Sequence, residues 1–274
     1  MPELPEVETV RKGLAASIIG QKCVAVSVRC RDFRLHLPES FEASIEGRVI
    51  TGIGRRAKYL LVYLDGDQIL LIHLGMSGRM LVGSSSEPKT HDHVIFDLGD
   101  GRRLIFNDPR RFGLLDVVKK SMLMQHKLLR HLGPEPLGNE FNGQVLSKVL
   151  AGRKSSIKSL LLDQKIVAGL GNIYACESLF ASQISPRRTG SSVVGVRAER
   201  LVQAIRSVLI DAIAAGGSTL RDFVTTDGGL GYFQHQFKVY GRAGQVCPTN
   251  KKGHLVLRLV QSNRSTFYCS KCQR

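Results

Sequence analysis

The chain has 274 residues, 43% of them hydrophobic, and its 39 lysines and arginines against 23 acidic residues give a net charge of +16. This composition excludes a disordered or fibrous protein, and the length suffices for one large or two medium domains. No apolar run reaches the roughly 18 residues of a membrane helix, and the N-terminus lacks a basic flank before an apolar core. We therefore expect a cytoplasmic protein with no membrane partner.

The first 120 or so residues are predicted to form one helix on a mostly antiparallel β-sandwich. Apolar residues recur at helical spacing over 5–18, and valines alternate with other residues over 24–28. Two hairpins follow, across Asp-Gly-Asp and Gly-Asp-Gly turns. Their predicted strands span 59–64, 68–74, 94–98 and 103–106.

The second half of the chain is predicted to be helical, behind a Gly- and Pro-rich linker at 134–138. Residues 216–236, rich in Gly, Thr and Asp, are predicted to form a loop, and a short β-hairpin closes the chain. The predicted helices span 142–151, 155–164, 173–182 and 197–215. The fold class is therefore predicted to be α+β.

Charge is concentrated at the C-terminal end, where eight lysines and arginines and no acidic residue lie between Lys238 and Arg274. A tail of one sign favours a nucleic-acid backbone, because neutralising phosphates releases counterions. A solvated basic face would have the same composition.

Three of the six cysteines, Cys247, Cys269 and Cys272, cluster in the same tail. The closing Cys-x2-Cys pair is typical of a zinc site, but Asn250 stands where a further cysteine would complete it. His254 is the nearest replacement donor. The sequence thus predicts a structural Zn²⁺ site, with a metal-free hairpin as the alternative.

The N-terminus offers a nucleophile. Removal of Met1 would leave Pro2 with a secondary amine, and three glutamates lie within the next six residues as proton donors. With Met1 retained, the Pro2 nitrogen is a tertiary amide and cannot attack. The same residues also suit an ordinary helix start, because proline and acidic residues are favoured in a first turn.

Several loops carry side chains suited to DNA. Gly75 and Gly78 allow a tight turn that would push Met76 outward, and a second turn holds Arg110 and Phe112 two residues apart. Arginine can read a base edge or a phosphate, and phenylalanine can stack in a gap between bases. Together they would fill the hole that a flipped nucleotide leaves, although a methionine is more commonly a core residue.

In combination, these motifs resemble the bacterial formamidopyrimidine-DNA glycosylases along the full length of the chain. The related endonuclease VIII branch shares Pro2 and Glu3 but usually departs from the Leu-Pro-Glu-Val continuation and from the Arg-x-Phe motif, both of which are present here. The matching stretches are Pro2–Glu8, Arg55–Lys58, His73–Gly78, His91–His93, Asp108–Gly113, Gly171–Tyr174, Gly216–Thr219, Val239–Arg242 and Arg264–Cys269.

The resemblance implies a bifunctional DNA glycosylase and AP lyase of base excision repair. Its expected substrates are 8-oxoguanine and formamidopyrimidines in damaged double-stranded DNA, and the protein is expected to be a monomer. The implied domains are a catalytic β-sandwich domain, a linker, a helix-two-turns-helix domain with a lesion-capping loop, and a finger hairpin. They would span 1–133, 134–138, 139–236 and 237–274.

The resemblance also assigns roles to residues of this chain. Pro2 would attack the sugar C1′, and Glu3, supported by Glu6, would open the deoxyribose ring. Lys58 would be the proton donor in β-elimination, and Arg264 would grip phosphates and assist δ-elimination. The residues implied to contact DNA are Glu6, His73, Met76, His91, Arg110, Phe112, Arg153, Lys158, Asn172 and Ser218.

Two other interpretations stay open on sequence alone. The chain could bind nucleic acid without catalysis, through its basic tail and helical region. It could also belong to the branch of the superfamily that removes oxidised pyrimidines.

Overall fold

The computed structural model describes residues 1–84, 87–218, 233–249 and 253–274, and the chain divides into two compact units. The first comprises Met1–Arg130 and the segment Ala215–Tyr232, of which residues 215–218 are described. The second comprises His131–Ala214 and Phe233–Arg274. Within these ranges, no helix has the length and apolar character needed to cross a membrane.

Helix α1, Leu4–Ile18, opens the first unit and confirms the predicted helix. Glu3 is its N-cap and forms a capping box with Glu6, whose Oε2 accepts the Glu3 N–H at 2.8 Å. This arrangement satisfies amides that every helix start leaves without an intrahelical partner. The buried face of α1, which includes Val7 and Leu14, belongs to the core of this unit.

The part of the first unit that the structure describes also contains two four-stranded antiparallel sheets, ordered β1-β6-β7-β5 and β2-β3-β4-β8. Their inward-facing apolar residues share one core with α1, as the predicted sandwich requires. The strands are β1 Cys23–Val28, β2 Ile50–Arg56, β3 Tyr59–Leu64, β4 Gln68–His73, β5 Arg79–Ser84, β6 Asp92–Leu98, β7 Arg102–Asn107 and β8 Leu114–Lys119, and a 3-10 helix follows at Lys120–Gln125.

The alternation predicted for 24–28 is wrong at Val24, which is 52% exposed. Cys23 pairs with Leu98 and Ala25 pairs with Asp97, so Val24 is an extra residue in a β-bulge. An inserted residue exchanges the two faces of a strand locally. Cys23 is buried as a result.

In its described residues, the second unit contains four α-helices and a two-stranded hairpin. Asn142 and Ser156 cap the first two helices by accepting the backbone N–H of Val145 and Ser159, so these helices begin one or two residues later than predicted. The elements are α2 Gly143–Leu150, α3 Ile157–Leu162, α4 Asn172–Ala181, α5 Val196–Ala214, β9 Leu257–Gln261 and β10 Arg264–Tyr268, with 3-10 helices at Gly190–Ser192 and Phe233–Gln236.

The predicted domain boundaries stay a prediction, and two differences are visible. Residues 215–218 group with the first unit, whereas the sequence attached them to the helical domain. The finger residues 237–274 group with the helices rather than by themselves. Most of the predicted 216–236 loop, from 219 to 232, lies outside the described residues.

Candidate functional site

The start of α1 is buried and tied to Ser218. Pro2 is buried, and Glu3 and Glu6 are 3% and 2% exposed. Glu6 Oε1 accepts the Ser218 N–H at 2.8 Å and the Ser218 Oγ–H at 2.9 Å. Gly217 has a φ of +76°, and a Cβ there would lie 3.2 Å from Glu6 Oε1, so this approach favours glycine. Glu6 therefore fixes the N-terminal main chain with Oε2 and the Ser218 segment with Oε1.

Lys58 lies in the tight turn between β2 and β3 and is only 6% exposed. Ala57, just before it, has a φ of +52°, a conformation that is uncommon for a residue with a side chain. Arg55 supports this turn by donating to the Ala57 carbonyl at 2.9 Å and by pairing with Glu8 at 3.0 Å. The backbone conformation thus holds a lysine in a largely buried position.

His73 ends β4 in a cationic environment. Burial, together with the positive charges of Lys58 and Arg34, lowers the pKa of His73 to about 4. Its Nδ1 accepts the N–H of Gly75 at 2.9 Å. His73 is therefore neutral near pH 7 and acts as an acceptor that shapes the following loop.

The N-terminus opens on a cavity of about 560 Å³ in the first unit. Because Met1 itself lines this cavity, loss of Met1 would place the amine of Pro2 beside it. The predicted residues His73, Met76 and Phe112 line the same space. The full lining is Met1, Phe33, Arg34, His73, Gly75, Met76, Arg111 and Phe112.

All three side chains that are predicted to fill the gap in the duplex are exposed. Met76 is 37% exposed and Phe112 is 48% exposed. The Arg110 guanidinium carbon lies 4.7 Å from the centroid of the Phe112 ring, in a cation–π contact. Large apolar side chains presented to solvent beside an arginine are suited to insertion into a base stack.

Asp108 connects the loop that carries Met76 to the turn that carries Arg110 and Phe112. This positioning role was not predicted from the sequence. Asp108 has no exposed surface and accepts the Ser77 Oγ–H at 2.6 Å and the Gly113 N–H at 2.7 Å. A Cβ on Gly75 would collide with the main chain of Phe112, so the two loops are packed backbone to backbone. No local pattern signals the partnership, because Ser77 and Asp108 are 31 positions apart.

His91 joins the same turn through its main chain. Its φ is +71°, and its carbonyl accepts the Asp108 N–H at 3.1 Å. Its ring centroid lies 5.9 Å from that of His93, whose Nε2 is 3.0 Å from the Asp108 carbonyl oxygen. The structure therefore brings His91 to the loops that carry Met76, Arg110 and Phe112.

The remaining residues that are predicted to contact DNA lie in the second unit, and two of them contact the hairpin of β9 and β10. Arg264 is exposed and directly follows Ser262 and Asn263, whose φ values of +48° and +57° fit a two-residue hairpin turn. Its neighbour Ser265 has a carbonyl that accepts from Lys158 Nζ at 3.2 Å and from Asn172 Nδ2 at 2.9 Å.

The environment of Lys158 differs from that of a solvent-facing phosphate ligand. Its side chain has no exposed surface, and its Nζ also donates to Thr266 Oγ1 at 2.7 Å. The observed contacts position the strand that follows Arg264, and its contact with phosphate stays a prediction. Arg153 is exposed, and its Nε donates to the Val149 carbonyl at 3.1 Å.

Glu177 is a second positioning residue that sequence reasoning missed. Its carboxylate accepts the backbone N–H groups of Lys238, Val239 and Tyr240 at 2.8–3.0 Å. Burial raises the pKa of Glu177, and the three N–H donors oppose that rise. The contact fixes the segment that leads into the cysteine cluster.

The three predicted cysteines come together, and their sulfur atoms lie within 4.8 Å of one another. The Cys247 and Cys272 sulfurs are 3.6 Å apart, and Thr249 Oγ1 is 3.4 Å from each. The group comprises only the three cysteines among the described residues, and His254 as a fourth ligand stays a prediction. The Cys247 N–H donates to the His254 carbonyl at 2.7 Å. Asn250 lies outside the described residues.

Two family models match the chain. The model of the formamidopyrimidine-DNA glycosylase N-terminal domain matches residues 1–115, and the model of the formamidopyrimidine-DNA glycosylase H2TH domain matches residues 132–224. A formamidopyrimidine-DNA glycosylase of Rhodospirillum centenum is 52% identical over 290 residues, with both chains fully covered.

Solved structures agree with this result. A Lactococcus lactis Fpg variant bound to DNA containing Fapy-dG has a TM-score of 0.92 and 31% identity, with both chains fully covered. The wild-type Lactococcus lactis protein bound to DNA containing an oxidised pyrimidine has a TM-score of 0.91 and the same identity and coverage. This chain therefore belongs to the formamidopyrimidine-DNA glycosylase family.

Proposed function

We propose that this chain excises oxidised purines from double-stranded DNA through a covalent imine on Pro2 and then cuts the strand by β,δ-elimination. The observation that carries the proposal is that Pro2 is buried and directly joins Met1, which lines the cavity, to the capped start of α1. The chain is thus a DNA glycosylase with AP lyase activity in base excision repair, as its family membership indicates.

The chemistry follows from a secondary amine next to a carboxyl group. The Pro2 nitrogen attacks C1′, the bond from C1′ to the base breaks, and Glu3 supplies the proton that opens the sugar ring. The resulting iminium makes the C2′ proton acidic, so the 3′ phosphate leaves in β-elimination and the 5′ phosphate leaves in δ-elimination. Lys58 would donate and accept protons in these steps, and Arg264 would stabilise the departing phosphate.

Access to the base requires that the nucleotide leave the duplex, which costs a few kcal/mol of stacking and pairing. Met76, Arg110 and Phe112 would offset part of that cost by entering the gap. Asp108 supports this role, because its hydrogen bonds keep both loops in one arrangement before DNA arrives.

The proposal is tested by borohydride trapping on an 8-oxoguanine duplex, with protein whose Met1 has been removed. Wild-type protein and the control Pro38→Gly, an exposed proline elsewhere in the first unit, should both give a covalent adduct. Pro2→Gly should give none. If wild-type protein without Met1 gave no adduct, the chain would bind nucleic acid without this catalysis.

A second substrate class is favoured by one observation, the oxidised pyrimidine in the DNA bound to a Lactococcus lactis relative. Comparing excision rates on 8-oxoguanine and thymine glycol duplexes decides between the two classes. We expect the faster rate on 8-oxoguanine, since the Arg-x-Phe motif at Arg110 and Phe112 is present.

We also propose that Cys247, Cys269 and Cys272 hold one Zn²⁺. Zinc–sulfur bonds of about 2.3 Å in a tetrahedron place sulfur atoms about 3.8 Å apart, and the observed 3.6 Å between Cys247 and Cys272 fits this spacing. The ion would join the two ends of the finger. Metal analysis should show zinc lost in Cys272→Ser and retained in His254→Ala. Loss in His254→Ala would identify His254 as the fourth ligand.

A further inference from the structure

The second unit contains a cationic cavity of about 480 Å³ that the proposed reaction does not use. Arg197 and Arg200 reach it from the first turns of α5, and Arg188 reaches it from the preceding segment. Lys271 and Arg274 reach it from the C-terminal end. Five of its eight lining residues are thus basic, and none is acidic.

One of these five side chains is paired with a carboxylate. Arg188 Nε donates at 2.7 Å to an oxygen of Arg274, which is a carboxylate oxygen because Arg274 is the last residue of the sequence. Arg197 Nη1 donates to the Ser192 carbonyl, a neutral acceptor, at 3.3 Å. Within the described residues, none of the five basic side chains forms an ion pair with an aspartate or glutamate.

The acid nearest in sequence is occupied elsewhere. Glu199 precedes Arg200 on α5, but its oxygens accept the Gly143 N–H at 3.1 Å and the Gln203 side chain at 3.0 Å. Five basic side chains therefore face only the carboxylate of Arg274, which contacts Arg188. Gathering like charges in this way is unfavourable without a further anion.

We propose that this cavity binds an anion made of linked phosphate groups. Guanidinium groups pair with phosphate oxygens through two parallel hydrogen bonds. With Arg188 held by a carboxylate, three arginines and Lys271 remain to serve two adjacent phosphates. The start of the long helix α5 adds the positive end of its dipole on the same side as Arg197 and Arg200. The ligand is a free oligophosphate or a stretch of nucleic-acid backbone, which present the same chemistry.

A competing explanation is that the basic residues only balance the thiolates of the cysteine cluster, because Cys272 also lines the cavity. That explanation predicts that removing the charges weakens metal retention and leaves anion binding unchanged. The two explanations therefore differ in what a titration with phosphate would show.

The test is calorimetric titration of the full chain with pyrophosphate at low salt, with zinc content measured before and after because pyrophosphate also chelates zinc. The double variant Arg200→Gln/Lys271→Gln should bind at least about tenfold more weakly than wild type, with its zinc content unchanged. Arg187→Gln, an exposed arginine outside the cavity, is the matched control and should bind like wild type. Equal affinity in the double variant and wild type, or equal loss in the control, would overturn the proposal.

A second comparison separates the two ligand sources. If nucleic-acid backbone is the ligand, the double variant should weaken binding of a long undamaged duplex more than binding of a short one. Equal affinities of wild type and double variant for both duplexes would assign the cavity to free oligophosphate.

Discussion

In the two units, buried charges of opposite sign hold the exposed residues that are proposed to contact DNA. In the first unit, the carboxylate of Asp108 accepts hydrogen bonds from Ser77 and Gly113 and so fixes two loops. In the second unit, the ammonium group of Lys158 donates to Ser265 and Thr266 and so fixes the strand behind an exposed arginine. Neither charged side chain has any exposed surface.

The difference shows how each unit matches its charge to the groups it must hold. Loops that present N–H and O–H groups inward need an acceptor, whereas the finger hairpin presents a carbonyl and a hydroxyl oxygen to a donor. A buried charge is costly unless its hydrogen bonds are satisfied, so each charge specifies one local arrangement. Loops and a hairpin that already hold one conformation lose less conformational entropy when DNA binds.

The largest expected effect comes from removing the buried anion. Asp108→Asn keeps the size of the side chain but turns one acceptor oxygen into a donor that faces Ser77 or Gly113. We expect a stability loss of about 3 kcal/mol and single-turnover excision about a hundredfold slower, because the gap-filling loops shift. Thermal unfolding and excision assays measure both, and Asp100→Asn at an exposed hairpin turn should match wild type. An unaltered excision rate would show that Asp108 does not position these loops.

The next effect is a pH dependence that belongs to the first unit. The folded pKa of His73, about 4, lies below its ordinary value of 6.5. The unfolded chain therefore takes up a proton that the folded chain does not, and stability falls as pH drops from 6.5 towards 4. Between neutral pH and pH about 5 the expected loss is about 2 kcal/mol.

Unfolding midpoints across this pH range test the contribution of His73. The variant His73→Gln should lose this component of the pH dependence. His36→Gln, an exposed histidine beside Asp32, should keep it. Identical pH profiles for wild type and His73→Gln would contradict the assignment.

The smallest effect concerns the buried cation. Lys158→Met replaces the ammonium by an apolar group of similar length, so stability should change little. Duplex binding should weaken about tenfold because the strand after Arg264 loses its hydrogen bonds. Lys165→Met, at an exposed lysine, is the control. If Lys158 acts only by positioning, the plot of log binding constant against log salt concentration should have the same slope for Lys158→Met as for wild type. A slope smaller in magnitude by about one would show a direct phosphate contact instead.

Local features of the sequence predicted much of the fold and the exposed part of the site. Capping serines, glycine turns and helical spacing each act over a few residues, so α1, α5 and the two hairpins were predictable. The bulge at Val24 was not, because it depends on how Cys23 and Ala25 pair with another strand.

The buried positioning residues were the main omission. Asp108 and Glu177 act on partners 31 and more than 60 positions away, and no short motif encodes such a distance. The exposed Arg110 and Phe112 could be proposed from residue type alone, because their chemistry toward bases does not depend on neighbours in the fold.

A mass measurement of the borohydride-trapped adduct and of its peptides tests directly whether Pro2 is the nucleophile. Every trapped chain should lack Met1 and carry the sugar remnant on the nitrogen of Pro2. A remnant on Lys58 or another lysine, or an adduct on chains that retain Met1, would contradict it.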